Sequence, residues 1–344
     1  MNLARDSHGR GPSLADAARG PGVDMSVLAA RLKAAPRRLA AHLLRHLPPS
    51  IARAPKNPRS WLVAARRHFD RLPRATRTLI DHHDLRPESS IITFFQADLQ
   101  RNAGDKLSSL AARPLTPDVI VQAIDEIIRW KTIAQCAHAH RSGPYFTAAE
   151  AAMQAQWDTT IWPIIKNEDF TSTLELACGH GRNTEFLRRP AASIDLVDVN
   201  PDCIAACRAR FGESKDGCRF RYHLTDGDRF AGIPDASISF GYSWDSMVHF
   251  DKLVVQDYVR EFARVLKPGG TAFLHHSNYG AIFPHTDWAK NPGSRSDMSA
   301  GLMHRYAGAA GLTIKFQRLS GIADGWGIDD LDCLTLLESK DSRP

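Results

Sequence analysis

The chain has 344 residues and a mass of 38.1 kDa, with 43% hydrophobic and 24% charged residues. This composition excludes a largely disordered, collagen-like or coiled-coil protein and fits one large domain, or one domain with a smaller appendage. The net charge of +6 conceals an asymmetry: residues 1–80 carry 16 Lys+Arg against 4 Asp+Glu, whereas the remaining 264 carry 28 against 34.

Residues 1–25 are rich in Gly, Ala, Pro, Arg and Asp, lack periodicity and read as a disordered leader. No apolar run reaches the roughly 18 residues of a spanning helix, and no secretory signal is visible, so a cytoplasmic protein is expected. The 6 cysteines do not form a disulfide framework; Cys203 and Cys207, spaced i,i+4 on a predicted helix, read as reduced, half-buried thiols.

Residues 26–145 read as a basic helical region, expected to close one side of the site as a cap. From Met25 to Leu47, apolar residues recur at helical spacing with Arg31, Lys33, Arg37, Arg38 and Arg45 between them, until Pro48 and Pro49 end the pattern. A second basic segment runs from Trp61 to Arg77. This arm reads as a solvated helical face, as a peripheral contact with an anionic membrane, as a nucleic-acid contact or as a transit peptide. The strongest helix of the region spans Pro117 to Ala139, with Ile120, Ile124, Ile127 and Ile128 on a broad apolar stripe, and Arg141-Ser142-Gly143-Pro144 closes it. A further amphipathic helix is predicted from Thr147 to Ile164, where Trp157 reads as packing.

From residue 146 to 340 the pattern is that of an α/β domain. Strand-like runs at Thr173–Ala177, Ile194–Val199, Phe220–Leu224, Ser237–Tyr242 and Thr271–His275 alternate with helix-like runs at Asn183–Arg189, Pro201–Phe211 and Lys252–Leu266. Such alternation predicts a doubly wound, mostly parallel sheet. Thr313–Leu319 and Cys333–Glu338 have no helix between them, which predicts an antiparallel pair at the end.

Chemistry concentrates after the first strand. In Leu174-Glu175-Leu176-Ala177-Cys178-Gly179-His180-Gly181, an apolar strand enters a Gly-x-Gly turn, and a helix starts just beyond it. Glycines let the backbone bend close to a ligand, and the helix start offers unpaired N–H groups. Asp198 ends the next strand, where an acid can accept two hydrogen bonds from ribose hydroxyls. A dinucleotide dehydrogenase is opposed by Thr184, which replaces the third glycine, and by Glu175, which would repel a pyrophosphate but receive an amino group.

These residues resemble the class I S-adenosylmethionine-dependent methyltransferases, over roughly Thr147 to Glu338. Their acid-x-Gly-x-Gly-x-Gly motif reads here Glu175-x-Ala177-x-Gly179-x-Gly181, with Ala177 in place of the first glycine. The segment from Asp235 to His249 and the turn Lys267-Pro268-Gly269-Gly270 match the family in the right order. The resemblance implies a seven-stranded Rossmann-like sheet with an antiparallel last strand, and S-adenosylmethionine as cofactor with S-adenosylhomocysteine as product. It implies that Glu175 reaches the methionine amino group, that Gly179 and Gly181 line the methionyl and ribose portion, and that Asp198 binds the ribose. Ala177, Cys178, Val199 and Ser243 fall in the same cofactor set, and Asp226 and Gly227 would lie against adenine.

The implied reaction is in-line displacement at a sulfonium methyl, for which a histidine is a natural base. His249 follows the fourth strand, and His275 and His276 end the fifth. Alternation turns His275 and His276 to opposite sides; His276, further beyond the strand, is expected to face the site. Asp245 is placed to orient His249. A metal held by Asp245, His249 and His276 ranks behind metal-free base catalysis, because no short-range ligand motif supports it. The insertion from Ser277 to Ser299, with Tyr279, Phe283, His285, Asp287 and Trp288, is expected to hold substrate. The acidic body favours a small-molecule or sugar acceptor and disfavours nucleic acid; RNA or protein modification through the basic arm, and a catalytically idle cofactor-binding scaffold, are the alternatives.

Overall fold

Thr116 and Pro117 start the helix on which the cap of the molecule is built. The Thr116 hydroxyl accepts from the Val119 N–H at 3.4 Å, and Pro117 occupies a first-turn position where its missing N–H costs nothing. The computed structural model describes residues 55–140, 144–283, 295–325 and 328–340. Within them the longer N-terminal helices are α1 (Pro58–Arg67), α2 (Arg74–His82), α3 (Gln96–Ala111) and α4 (Pro117–Ala139). Asn57 caps α1 by accepting from the Ser60 N–H at 2.9 Å. The isoleucine stripe of α4 is buried and faces α1 and α3. The leader, the Met25–Leu47 pattern, the break at 141–143 and residues 284–294, with His285, Asp287 and Trp288, lie outside the described residues.

The next helix, α5 (Pro144–Gln156), passes into a single wider turn at Trp157–Ile161 and a last turn at Trp162–Ile165, so the predicted Thr147–Ile164 helix is not uniform. Pro163 explains the disturbance, because it removes a donor from the ladder. Trp157 is buried in the core, in keeping with the packing role expected of it.

The strands are β1 (Thr173–Leu176), β2 (Ser193–Asp198), β3 (Ser214–Lys215), β4 (Cys218–Leu224), β5 (Ile238–Ser243), β6 (Leu266–Ser277), β7 (Leu312–Ser320) and β8 (Asp332–Ser339). They form one sheet of eight strands in the order β3-β4-β2-β1-β5-β6-β8-β7. β4, β2, β1, β5 and β6 run parallel, and β8 pairs antiparallel with both β6 and β7. The doubly wound architecture and the terminal antiparallel pair are as the alternation predicts. The eighth strand is not: β3 folds back on β4 through Asp216 and Gly217, whose φ values of 49° and 87° suit a tight hairpin.

Helices α6 (Thr184–Leu187), α7 (Pro201–Phe211), α8 (Lys252–Val265) and α9 (Ala300–Ala309) complete the layers. Every residue of β1, β2 and β5 is buried, as expected for parallel strands covered on both faces. One core joins Trp61, Ile120 and Ile124 of the N-terminal helices to Leu176, Val197 and Phe262, and is continuous across residue 145. The opposite face packs Trp157, Ile161, Phe186 and Phe211 against Tyr242 and Phe273. No helix among the described residues is long and apolar enough to cross a membrane. Strand order reverses at β1, between β2 and β5, which opens a crevice beyond the carboxyl ends of these strands.

Candidate active site

β1 leaves the sheet through a turn with three left-handed positions: Ala177 at φ 58°, Gly179 at 54° and Gly181 at 82°. A Cβ on Gly181 would sit 2.4 Å from Phe211 Cε2, so α7 packs against the turn only because that side chain is absent. Ala177 adopts the same region with a Cβ, at a cost of about 1–2 kcal/mol. The turn is tied down from two sides. The Gly179 N–H donates to Asp198 Oδ2 at 3.0 Å, and the Cys207 thiol donates to the Gly179 carbonyl at 3.2 Å.

Beyond this turn lies a cleft with a cavity volume of about 120 Å³. Ala177, Cys178, Gly179, Asp198, Val199 and Gly227 line it. Its roof is the helical cap, through Ile133 and Cys136 of α4, His140 at its C-terminal cap, and Phe146. A Cβ on Gly227 would meet Ile133 Cγ2 at 2.6 Å, so the bare glycine is what allows the cap to close down. The Phe146 ring stacks on His180 with centroids 3.9 Å apart and planes 13° apart.

Asp198 is buried, with Oδ1 accepting from the Asn200 N–H at 2.8 Å and Oδ2 from Gly179. Burial raises its pKa despite these bonds. With backbone bonds from Asn200, Gly179 and Val199, the two oxygens' four lone pairs leave acceptor capacity for a ligand. Glu175 lies beneath the cleft and does not line it. Thr184 Oγ1 donates to its Oε2 at 2.6 Å, while Oε1 is buried with no hydrogen-bond partner, and burial pushes its pKa up to about 8. Gly181 shapes the turn from below the lining.

Other expected residues sit elsewhere. Ser243 is fully buried under the cleft, donating to the Leu176 carbonyl at 3.3 Å and touching Ser246 Oγ at 3.0 Å. The Asp226 side chain is 59% exposed and lies 3.9 Å from Arg229; it is Thr225 and Gly227 that line the cleft. His276 does not face the cleft. Its Nε2 lies 2.9 Å from Thr335 Oγ1 on β8 and its Nδ1 2.9 Å from the Ser277 carbonyl, and burial brings its pKa down to about 4. The reason is that β6 runs on through Ser277, still paired with β8, so His276 is inside the sheet and not beyond it. His275 points the other way: its Nδ1 accepts from the Asp245 N–H at 3.2 Å and its Nε2 donates to Asp332 at 3.2 Å.

Asp245 and His249 both line the cleft. Asp245, at φ 55°, bonds Arg182 at 3.1 Å, a cleft residue that sequence reasoning passed over. His249 sits in a short turn after β5, with its ring 4.5 Å from that of His140. No group of three His, Cys, Asp or Glu side chains placed to hold a metal occurs among the described residues. His140 was not foreseen, because its role depends on α4 crossing the mouth of the sheet; its only local signal is its place at the end of α4. The roof residues and Asp251, which caps α8 through the Leu253 N–H, were missed for the same reason.

Residues 173–270 match the family model of a methyltransferase domain. Over 113 residues the chain is 30% identical to the polyamine aminopropyltransferase of Chromobacterium violaceum, covering 31% of this chain and 42% of that protein. Over 161 residues it is 25% identical to a probable S-adenosylmethionine-dependent methyltransferase of Mycolicibacterium smegmatis, covering 46% of this chain and 58% of that one. The chain thus spans less than two thirds of the length of these curated relatives. Among solved structures, it is similar to a SAM-dependent methyltransferase of Methanosarcina mazei, with a TM-score of 0.42 and 17% identity over 52% of this chain and 98% of that chain. The cofactor implied by a methyltransferase domain of this kind is S-adenosylmethionine. The site fits it: a buried carboxylate oxygen without a partner suits an ammonium group, and Asp198 faces the cleft with acceptor capacity for a ribose.

Proposed function

We propose that this chain transfers a methyl group from S-adenosylmethionine to an O–H or N–H group of a small molecule or sugar. The observation that carries this reading is the cleft at the glycine turn, roofed by α4 and Phe146, with the imidazole of His249 on its wall. Bound there, the cofactor supplies an activated methyl group on a positively charged sulfur.

The chain's own residues do the rest. Asp198 holds the ribose hydroxyls, and Glu175 faces the amino group from below. Between them they fix the cofactor along the turn, so that the sulfonium methyl is aimed at the acceptor. The cap excludes water and confines the acceptor. His249 takes the proton that the acceptor loses. Asp245, bonded to Arg182 and held by His275 through its N–H, shapes the segment that carries His249. Of the region 26–145, the described helices α1 to α4 act as the cap, and the described part of 146–340 as the catalytic domain.

Incubation with methyl-tritiated S-adenosylmethionine and an extract of the source cells, fractionated into small molecules, polysaccharide, RNA and protein, tests this. Label in the small-molecule or polysaccharide fraction supports the reading. Label in RNA or protein, with affinity that falls steeply with salt, would transfer it to a docking role for the basic arm. Tight cofactor binding with no transfer to any fraction would make the chain a cofactor-binding scaffold.

A further inference from the structure

Three carboxylates line the cleft, those of Asp198, Asp245 and Asp251, against the single guanidinium of Arg182 among the described residues. Arg182 bonds Asp245 at 3.1 Å, and Asp198 accepts from the N–H groups of Gly179 and Asn200. Asp251 differs from both. It is 5% exposed, and its Oδ1 accepts from the Leu253 N–H at 2.8 Å as the cap of α8. Its Oδ2 accepts no hydrogen bond from any described residue. The cations around it do not fill that place. Lys252, next on α8, is paired with Asp297. Lys131 of α4 is fully buried and its Nζ has no hydrogen-bond partner, so it acts on Asp251 only through space. Burial and the charge of Asp297 raise the pKa of Asp251 to about 6, and the Leu253 bond, Lys252 and Lys131 hold it there, so the group is ionised at neutral pH.

A helix cap needs one oxygen and no charge, since the uncharged side chains of Ser and Asn cap as well as Asp does. The second oxygen of Asp251 and its charge are therefore more than α8 requires. Phe250 and Val254 line the cleft beside it, and an acceptor seated against them strips water from the carboxylate. A carboxylate so desolvated is costly unless a donor meets it, and a charged donor meets it about twice as strongly as a neutral one.

We propose that the acceptor carries an ammonium group and that Asp251 Oδ2 binds it in the cleft. The proposal rests on the methyltransferase reading and adds the charge class of the substrate and the residue that selects it. An ammonium has no lone pair with which to attack a methyl group, so the group held by Asp251 is not the atom that is methylated. The acceptor therefore bears two functions, the ammonium and a separate hydroxyl or amine, as an amino sugar, an amino alcohol or a diamine does. Asp251 fixes one end of it, which leaves the other to be aimed at the sulfonium.

The test uses the full chain, methyl-tritiated S-adenosylmethionine and an ultrafiltrate of source-cell extract, split at pH 7 on a cation-exchange resin. Transfer is expected to the retained, cationic fraction and not to the flow-through, which holds neutral sugars and anions. Mass spectrometry of the product is expected to show a basic nitrogen besides the methylated atom. Transfer confined to the flow-through, or a product without such a nitrogen, overturns the proposal. Asp251→Asn then separates the charge from the helix cap. Its amide oxygen still accepts from the Leu253 N–H, and its amide nitrogen takes the place of Oδ2. A hydroxyl, which accepts as well as donates, still binds there, whereas an ammonium, which only donates, does not. The variant is expected to need about tenfold or more of the retained fraction for half its maximal rate. Calorimetric cofactor affinity equal to wild type shows that it is folded. A dilution curve that overlays the wild type overturns the role of Asp251. Transfer by the wild-type protein only to RNA or protein held back by the filter removes the small-molecule reading, transfer to nothing removes the methyltransferase reading, and the ammonium falls with either.

Discussion

Glu175 offers the sharpest perturbation of the proposed cofactor site. Its carboxyl is 1% exposed, bonded by Thr184 on one oxygen and unpartnered on the other, and burial pushes its pKa up to about 8. Near pH 7 the group is therefore mostly protonated in the free protein, and about a tenth of it is ionised. An ammonium group placed above it is best met by the ionised form, so binding must release a proton. Ionising the group at pH 7 costs about 1.4 kcal/mol, which is a factor of about ten in affinity. Cofactor affinity should rise about tenfold per pH unit from about pH 6 to 8 and flatten above that. Calorimetry in buffers of different ionisation enthalpy counts the proton directly. S-adenosylhomocysteine, which carries the same amino group without the sulfonium charge, separates the amino-group effect from that of the sulfur. Glu175→Gln keeps an acceptor for Thr184, weakens binding by about 1.5–3 kcal/mol above pH 8 and abolishes the pH dependence. The same raised pKa acts on folding with opposite sign. The unfolded carboxyl ionises near its ordinary value of 4.5 while the folded one stays protonated to about 8, so this group makes the free protein less stable as pH rises through that window. Glu175→Gln should therefore unfold at a higher denaturant concentration than wild type above pH 8. A wild-type affinity that is flat from pH 6 to 8, with no proton released, would refute the assignment of Glu175 to the amino group.

Asp198→Ala should weaken cofactor binding by about 1–3 kcal/mol through the lost charged hydrogen bonds, measured by calorimetry; unchanged affinity would remove the ribose from this position. His249→Ala should reduce turnover by roughly 100-fold with cofactor affinity intact, read in the tritium assay, and near-normal turnover would return it to a structural role. Gly181→Ala combines a φ of 82° with a Cβ placed 2.4 Å from Phe211, so chemical denaturation should show a loss of about 2 kcal/mol or more. Ala177→Gly removes the left-handed strain at φ 58° and should raise stability by up to about 1 kcal/mol after the extra chain entropy of glycine is counted. A stability loss there would show that the Ala177 methyl packs to some purpose.

Much of this protein is local, and what is local could be read in one dimension. The apolar stripe of Pro117–Ala139, the continuous apolar runs of β1, β2 and β5, and the Gly-x-Gly turn after Leu176 each express a steric or hydrophobic rule acting within a few residues. They specify the elements, the parallel sheet and the position of the crevice. The hairpin at Asp216-Gly217 obeys an equally local rule and was visible in principle; β3 was passed over because two residues are too short to register as a strand.

What the sequence leaves open begins where side chains from distant segments meet. His275 and His276 are adjacent in the chain, and which of them turns toward Asp245 depends on β6 continuing to Ser277 under the register of β8. Glu175 and Asp198 end or nearly end neighbouring strands, yet one lies beneath the cleft and the other on its wall. A helical cap was expected, but its individual roof residues have no signature of their own, because α4 presents ordinary helical residues whose importance arises only when Gly227 lets Ile133 close onto the sheet. Periodicity determined which faces had to be buried; the packing of the cap on the sheet alone decided that His140 and His249 would share a wall, since contacts between separate elements depend on how their surfaces fit.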